Sequence, residues 1–391
     1  MPGRRPAAVL PAAVLALALA GSLDAGAAGI DSRASDLPDQ TDMAALDALH
    51  QAMEAARRTD PELLYDKVID SLRIRSGTAS FSNEPDARDG SMGRFPRKRP
   101  AGVSAAEWRA LLASRIDGGG ENGRASYMLL DLDGDGQRDL VIDTYTGGTG
   151  MYSSIRALRQ TGGRFSVPGA PPAQAAPAAE EQPDAAYLYA LNGRGGNQGA
   201  DWIRLGGRVY AVYRDSRYGV DNIYLLRPWH GNGQVPRLVV RYRYALAVPV
   251  DQPGREGQAT RLAPALHRAL DQAAALAVAR ADTPPAQDPE PLCPVPADAP
   301  DEMRDAYSRY GPGHYTFEIV ADVPVLVGAE CHIGQLRNWF GGYTPGKGLD
   351  AQLCVRPAEE PEHLEDTCYA VSGPRTVAGM TADVVPFESE D

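Results

Sequence analysis

Between Ser126 and Tyr145 the chain reads SYMLLDLDGDGQRDLVIDTY, and the acidic run from Asp131 to Asp139 restricts the fold more than any other stretch. Aspartates at relative positions 1, 3, 5 and 9 (Asp131, Asp133, Asp135 and Asp139) can turn their carboxylates onto one hard cation, and Gly136 at position 6 permits the sharp bend this requires. The backbone carbonyl of Gln137 supplies a further oxygen, and a flexible ring of oxygens at about 2.3–2.6 Å suits calcium. An EF-hand would place a bidentate glutamate at position 12 between two helices. Here position 12 is Ile142, and Asp143 comes one place late. The flanks, 127–130 and 140–142, are short apolar runs of strand formers. The loop is therefore expected at the tip of a β-hairpin.

This run resembles the DxDGDGxxDL calcium loops of FG-GAP and VCBS repeats, found in integrin-like β-propellers and in many secreted bacterial proteins. The resemblance covers about twenty residues in a single copy, whereas propellers repeat their blades around an axis. It implies a calcium ion held by Asp131, Asp133, Asp135 and Asp139, with Gln137 ligating through its carbonyl.

Residues 1–28 have the make-up of an export leader. Arg4 and Arg5 open it, an apolar core runs over 7–20, and small residues at 25–28 offer cleavage sites. The core is shorter than the roughly 20 residues of a membrane span, and no cysteine ends it to take a lipid. The mature chain is thus expected in the periplasm or outside the cell, without a stable membrane anchor. Lysine is scarce beside arginine, as in proteins of GC-rich bacterial genomes. Export agrees with the cysteines: Cys293, Cys331, Cys354 and Cys368 all fall in the C-terminal region, which reads as two disulfides. Of the three possible pairings, Cys331–Cys354 with Cys293–Cys368 is the one expected. No CxxC spacing supports a zinc site.

The formal net charge of −12 argues against nucleic acid as a partner and suits an exported protein facing a basic one. Residues 29–120 are helical in pattern. Met43, Leu46, Leu49 and Met53 form one stripe, with Asp42 placed to cap; Asp60-Pro61-Glu62 starts a second helix carrying Leu64, Val68 and Leu72; Ser104-Ala-Ala-Glu107 is a capping box before Trp108 and Leu111. A polar loop is expected over 80–100. Residues 121–250 form a β-rich domain, interrupted by a Pro/Ala-rich excursion at 167–186. Within it Leu238, Val240, Tyr242 and Tyr244 alternate with Arg241 and Arg243, as in a half-buried strand. Residues 251–300 comprise an alanine-rich helix and a proline-rich linker, and 301–391 a disulfide-bearing module. The expected class is α+β: N-terminal helices packed on a mostly antiparallel β-rich domain with a calcium hairpin, plus a C-terminal disulfide-stapled β module.

Chemistry is mostly absent from the motifs. There is no GxSxG, HExxH or phosphate loop, and the histidines stand at no metal-ligand spacing. Tyr, Trp and Arg crowd 187–229, and these types dominate protein–protein hot spots. The segments 192–197 and 215–218 read as exposed loops, with Arg194, Asp215, Arg217 and Tyr218 as the expected partner contacts. Two functions are compatible with these features. One is a non-catalytic exported binding protein, similar in outline to periplasmic immunity-type inhibitors of cell-wall hydrolases. In that case 215–218 plugs the enzyme's cleft and Arg217 pairs with its catalytic carboxylate. The other is a calcium-dependent exported hydrolase acting on polysaccharide or peptidoglycan.

Overall fold

The computed structural model describes residues 40–386, apart from 86–92, 117–118, 169–186, 195–196, 218, 230–233, 254–258, 282–289, 309–317, 339–342, 345, 347 and 358–366. The leader, most of the excursion at 167–186, the first part of the proline-rich linker, and Tyr218 lie outside the described residues.

Helix α1 (Gln40–Arg57) buries the expected stripe of Leu46, Leu49 and Met53. Helix α2 (Leu64–Leu72) begins later than Pro61, because the Asp60 N–H still donates to Ala56 O at 2.9 Å to close α1 and the Asp60 carboxylate pairs with Lys67. It ends where Arg73 turns extended and the Ile74 N–H donates to Trp202 O at 2.9 Å. The region expected as loop opens with a strand, β1 (Ala79–Ser82), followed by the short pair β2 (Glu84–Pro85) and β3 (Gly93–Arg94). Phe81 explains β1: it stacks on Tyr127, its cross-strand partner, with ring centroids 4.9 Å apart. Helix α3 (Ala105–Ser114) starts with the expected capping box: the Glu107 N–H donates to Ser104 Oγ at 3.2 Å and the Ser104 N–H to Glu107 Oε2 at 2.7 Å.

Strands β4 (Ala125–Leu130), β5 (Asp139–Gly147), β6 (Tyr152–Thr161), β7 (Arg164–Ser166) and β8 (Tyr189–Asn192) follow, then β9 (Gln198–Leu205), β10 (Arg208–Arg217), β11 (Val220–Leu226) and β12 (Gln234–Tyr244). A short pair, β13 (Asp251–Pro253) and β14 (Ala259–Arg261), precedes helix α4 (Pro264–Ala281). The chain closes with β15 (Glu318–Val327), β16 (Glu330–Asn338), β17 (Tyr343–Thr344), β18 (Gly348–Pro357), β19 (Thr367–Gly373) and β20 (Arg375–Pro386). The first large sheet runs β1-β4-β5-β6-β7, with β8 also on β6; the second runs β20-β12-β11-β10-β9; the third runs β15-β16-β18-β17, with β19 on β18. Among the described residues every strand pairing is antiparallel. The class is α+β, with helices mostly N-terminal and two disulfides in the C-terminal region. No helix of the described residues is long and apolar enough to cross a membrane.

Side-chain alternation builds the layers. One face of the first sheet (Tyr127, Leu129, Leu140, Ile142, Leu158) packs on Ala110 and Leu111 of α3. Its other face (Val141, Ile155, Tyr189) packs on Trp202, Val209, Ala211 and Tyr213 of the second sheet. The second sheet's remaining face carries Ile203, Tyr210, Val212, Leu238, Val240, Tyr242 and Tyr244. It shares one core with α1, α2, α4 and the third sheet. Of the aromatics that crowd 187–229, Tyr189, Trp202, Tyr210 and Tyr213 are thus core residues. Asp42 lies in the first turn of α1 with its carboxylate buried, where it accepts from Tyr210 Oη (2.7 Å) and Arg208 Nη1 (3.1 Å) and pairs with Arg227 Nε (3.1 Å).

The disulfide pairing differs from the expected one: Cys293 joins Cys331, and Cys354 joins Cys368. Strand register decides it. Cys354 and Cys368 are direct partners on β18 and β19 with Cα atoms 4.0 Å apart, which leaves no place for Cys331. On the other side of β18, Cys354 faces Gln335 of β16. Two further features cross the composition-based boundary at residue 300. Strand β20 pairs with β12 from Gln234↔Pro386 to Tyr244↔Arg375, and Val323, Val325, Leu336 and Leu353 share their core with α1.

Candidate metal centre

The acidic loop joins β4 to β5, as the strand-forming flanks require. Leu130↔Asp139 is the last pair of the ladder, and the loop between them projects from the sheet. Gly134 and Gly136 take φ of +79° and +86°, a region open to glycine and costly for other residues. Leu132 turns inward to join the core between the two sheets, so the loop is anchored at its base while its tip stays exposed.

The aspartates organise the loop themselves. Asp131 accepts from the N–H groups of Gly134 (2.7 Å) and Gly136 (3.2 Å), and Asp133 from that of Asp135 (3.2 Å). Asp139 is buried. One of its oxygens accepts from Leu132 N–H at 3.0 Å and the other from Gln160 N–H on β6 at 2.8 Å. As a result one carboxylate oxygen each of Asp131, Asp133 and Asp139 lie within 4.8 Å of one another. Oxygens at calcium-like bond lengths around one ion stand at most about 5 Å apart, so this triad can hold a metal ion. Asp135 stands apart from the triad at the tip, where its Oδ1 accepts from Gln137 N–H at 2.7 Å.

The electrostatics favour a cation. Burial pushes the Asp139 carboxyl up to about 6, with the charges of Asp133 and Asp135 adding to that rise and the N–H groups of Gln160 and Leu132 opposing it. The all-oxygen donor set fits a hard ion. The protein already supplies one positive group: Arg159 Nη2 lies 2.5 Å from Asp133 Oδ2, and its guanidinium sits 5.6 Å from the centroid of the Trp229 ring. A second arginine ties the loop to the helical layer. Arg138, between Gln137 and Asp139, makes a two-pronged pair with Glu107 of the α3 capping box (Nε–Oε1 2.8 Å, Nη2–Oε2 2.7 Å) and donates to Gly102 O at 2.8 Å. Sequence reading passed over both arginines and Leu132. Arg138 had a local signal in its place inside the loop; Arg159 had none, because it reaches Asp133 only through the β5–β6 pairing.

The expected partner contacts are placed as follows. Arg194 is exposed and donates from Nη1 to Thr149 O at 3.0 Å. Asp215 and Arg217 belong to β10 instead of a loop, since the ladder with β11 continues through Asp215↔Asn222 to Arg217↔Val220. Asp215 is half-buried. The two contact segments do come together: the Ser216 N–H donates to Asn197 O at 2.8 Å, and Asn197 Nδ2 returns a bond to Ser216 O at 3.2 Å. His267 is packed, with Nε2 2.8 Å from Val248 O and Nδ1 3.2 Å from Asp271 Oδ2. No family model, curated protein or solved structure matches the chain.

Proposed function

We propose that the chain is an exported calcium-binding protein without catalytic activity of its own, a protein-binding module that acts as an inhibitor or immunity protein for a cell-wall hydrolase. The observation that carries this reading is the convergence of Asp131, Asp133 and Asp139 at the tip of a hairpin whose base, through Leu132, belongs to the core between two sheets. An ion there fixes the hairpin relative to the body, in the manner of the FG-GAP and VCBS loops it resembles, with Asp135 and the Gln137 carbonyl completing the shell. The two disulfides favour an oxidising compartment, in line with the leader at 1–28 and a periplasmic or secreted destination. The bonded pair of segments around Asn197 and Ser216, with Arg194 beside them, is the surface offered to a partner. The net charge of −12 favours a basic one.

A second reading, a calcium-dependent exported hydrolase acting on polysaccharide or peptidoglycan, is favoured by one observation: Asp143 and Asp201 line the same cleft. Mixing the oxidised, calcium-loaded protein with a panel of muramidases and other cell-wall hydrolases separates the two. Stoichiometric inhibition of one enzyme supports the binding module. Release of fragments from purified cell wall by the protein alone overturns it in favour of the hydrolase.

A further inference from the structure

Apart from the metal centre, the face of the first sheet that turns towards the second carries a cleft of about 540 Å³, next to a hollow of about 470 Å³. Ser82, Ser126 and Asp143 line both. Their shared position follows from strand register. Ser82↔Ser126, Ser126↔Asp143, Asp143↔Ile155 and Ile155↔Tyr189 are direct cross-strand partners on β1, β4, β5, β6 and β8, and direct partners share a face of the sheet. One rung thus presents two hydroxyls, a carboxylate, an aliphatic residue and an aromatic ring in a row.

The charges around this rung are unevenly satisfied. Arg73 lines the cleft but is fully engaged: its Nε lies 2.8 Å from Asp201 Oδ1, its Nη2 2.9 Å from Asp201 Oδ2, and its Nη1 2.9 Å from Asp70 Oδ1. Arg124, in the hollow, holds its guanidinium over the Tyr145 ring at 4.8 Å. Asp143 is half-buried, and its partner among the described residues is the Ser153 hydroxyl. Burial moves its carboxyl above the usual carboxylate range, opposed by that hydroxyl. Among the described residues no ion pair engages Asp143, and a partly desolvated carboxylate without one is costly to keep inside a fold. A concave site with a few convergent polar groups is the usual form of a small-ligand site.

We propose that this cleft binds a ligand carrying a protonated amine, with Asp143 as its counter-ion and the hydroxyls of Ser126 and Ser82 as neighbouring hydrogen-bonding groups. The amine belongs to an amino sugar or to a basic amino-acid side chain. The inference requires neither the metal ion nor a protein partner.

The test is calorimetric titration of the oxidised, calcium-loaded full chain with glucosamine, with Nα-acetyl-lysinamide, and with N-acetylglucosamine as the uncharged control. Saturable binding of one of the two amines identifies the source, and the control does not bind. Asp143→Asn, with an unchanged melting temperature, weakens binding about tenfold or more, the scale of one lost charge-assisted contact. If Asp143→Asn does not fold, Ser82→Tyr at the exposed mouth of the cleft takes its place, and loss of binding supports the site. Absence of saturable binding by both amines, equal binding of the uncharged sugar, or full affinity in the folded variant overturns the proposal.

Discussion

Arg138 and Glu107 face each other as a two-pronged ion pair, Nε–Oε1 at 2.8 Å and Nη2–Oε2 at 2.7 Å, joining the foot of the acidic loop to the N-terminus of a helix packed on the same sheet. The Arg138 guanidinium, with help from the Ser104 N–H and hydroxyl, holds the Glu107 carboxyl down at about 2, well below its ordinary 4.5. A carboxylate whose folded value is lowered contributes stability that is fully present above the unfolded value and is lost as pH falls through the folded one. This pair should therefore stabilise the protein above about pH 4.5 and cease to do so as pH falls towards 2, a difference on the order of 2 kcal/mol. Urea melts of wild type and Glu107→Gln between pH 2 and pH 6 check this. The two curves should differ at pH 6 and converge at the acid end, and a constant gap would show that the ionised pair does not matter.

Asp42 is the other charged group on which the fold leans. Its buried carboxylate serves Arg208, Arg227 and Tyr210 at once. Asp42→Ala leaves two guanidiniums facing an apolar space, and removing one partner of a buried pair typically costs about 3–5 kcal/mol. Because Arg208 retains access to solvent, a loss of about 2–4 kcal/mol is expected by equilibrium denaturation. A loss below 1 kcal/mol would mean that the arginines re-solvate freely.

The disulfides make distinct predictions. Opening Cys354–Cys368, 14 residues apart, by replacing both cysteines with alanine should cost about 3 kcal/mol; opening Cys293–Cys331, 38 residues apart, about 4. Peptide mapping of the unreduced protein should recover these two pairs. A peptide linking Cys331 to Cys354 would contradict the β16–β18–β19 register.

Local patterns made much of this legible in advance. The alternation in β12 places Leu238, Val240, Tyr242 and Tyr244 inward, the Ser104–Glu107 box starts α3, and the flanks of the acidic loop form a hairpin. Each depends on residues a few places apart. What escaped depends on register between distant strands. Strand β1 hides among polar residues until Phe81 meets Tyr127 across β4. Asp215 to Arg217 look like loop residues but complete a ladder. The cysteine pairing follows from which residue opposes Cys354. Asp42, read as a helix cap, has its carboxylate held by a side chain 166 residues away. In the metal centre the same division holds: the aspartates are local and readable, while the arginine that pairs with Asp133 arrives from the neighbouring strand.

That arginine yields the last prediction. Arg159 Nη2 lies 2.5 Å from Asp133 Oδ2, and the guanidinium rests beside Trp229, so a metal ion drawing on Asp133 competes with a cation the protein carries itself. Replacing Arg159 by leucine keeps apolar bulk near the Trp229 ring and removes the competing charge. Calcium affinity, measured by titration against a chelator indicator, should then rise about three- to tenfold, corresponding to roughly 0.7–1.4 kcal/mol. In the presence of chelator the same variant should melt lower than wild type, because the close-set carboxylates lose the guanidinium that pairs with Asp133. Calcium should raise the melting temperature of both proteins, by mass action on the folded state, and more so in the variant. Asp139→Asn should abolish the response to calcium in either background. Should Arg159→Leu bind calcium more weakly than wild type, the guanidinium would have to be counted as a support that orients Asp133 instead of a rival for its charge.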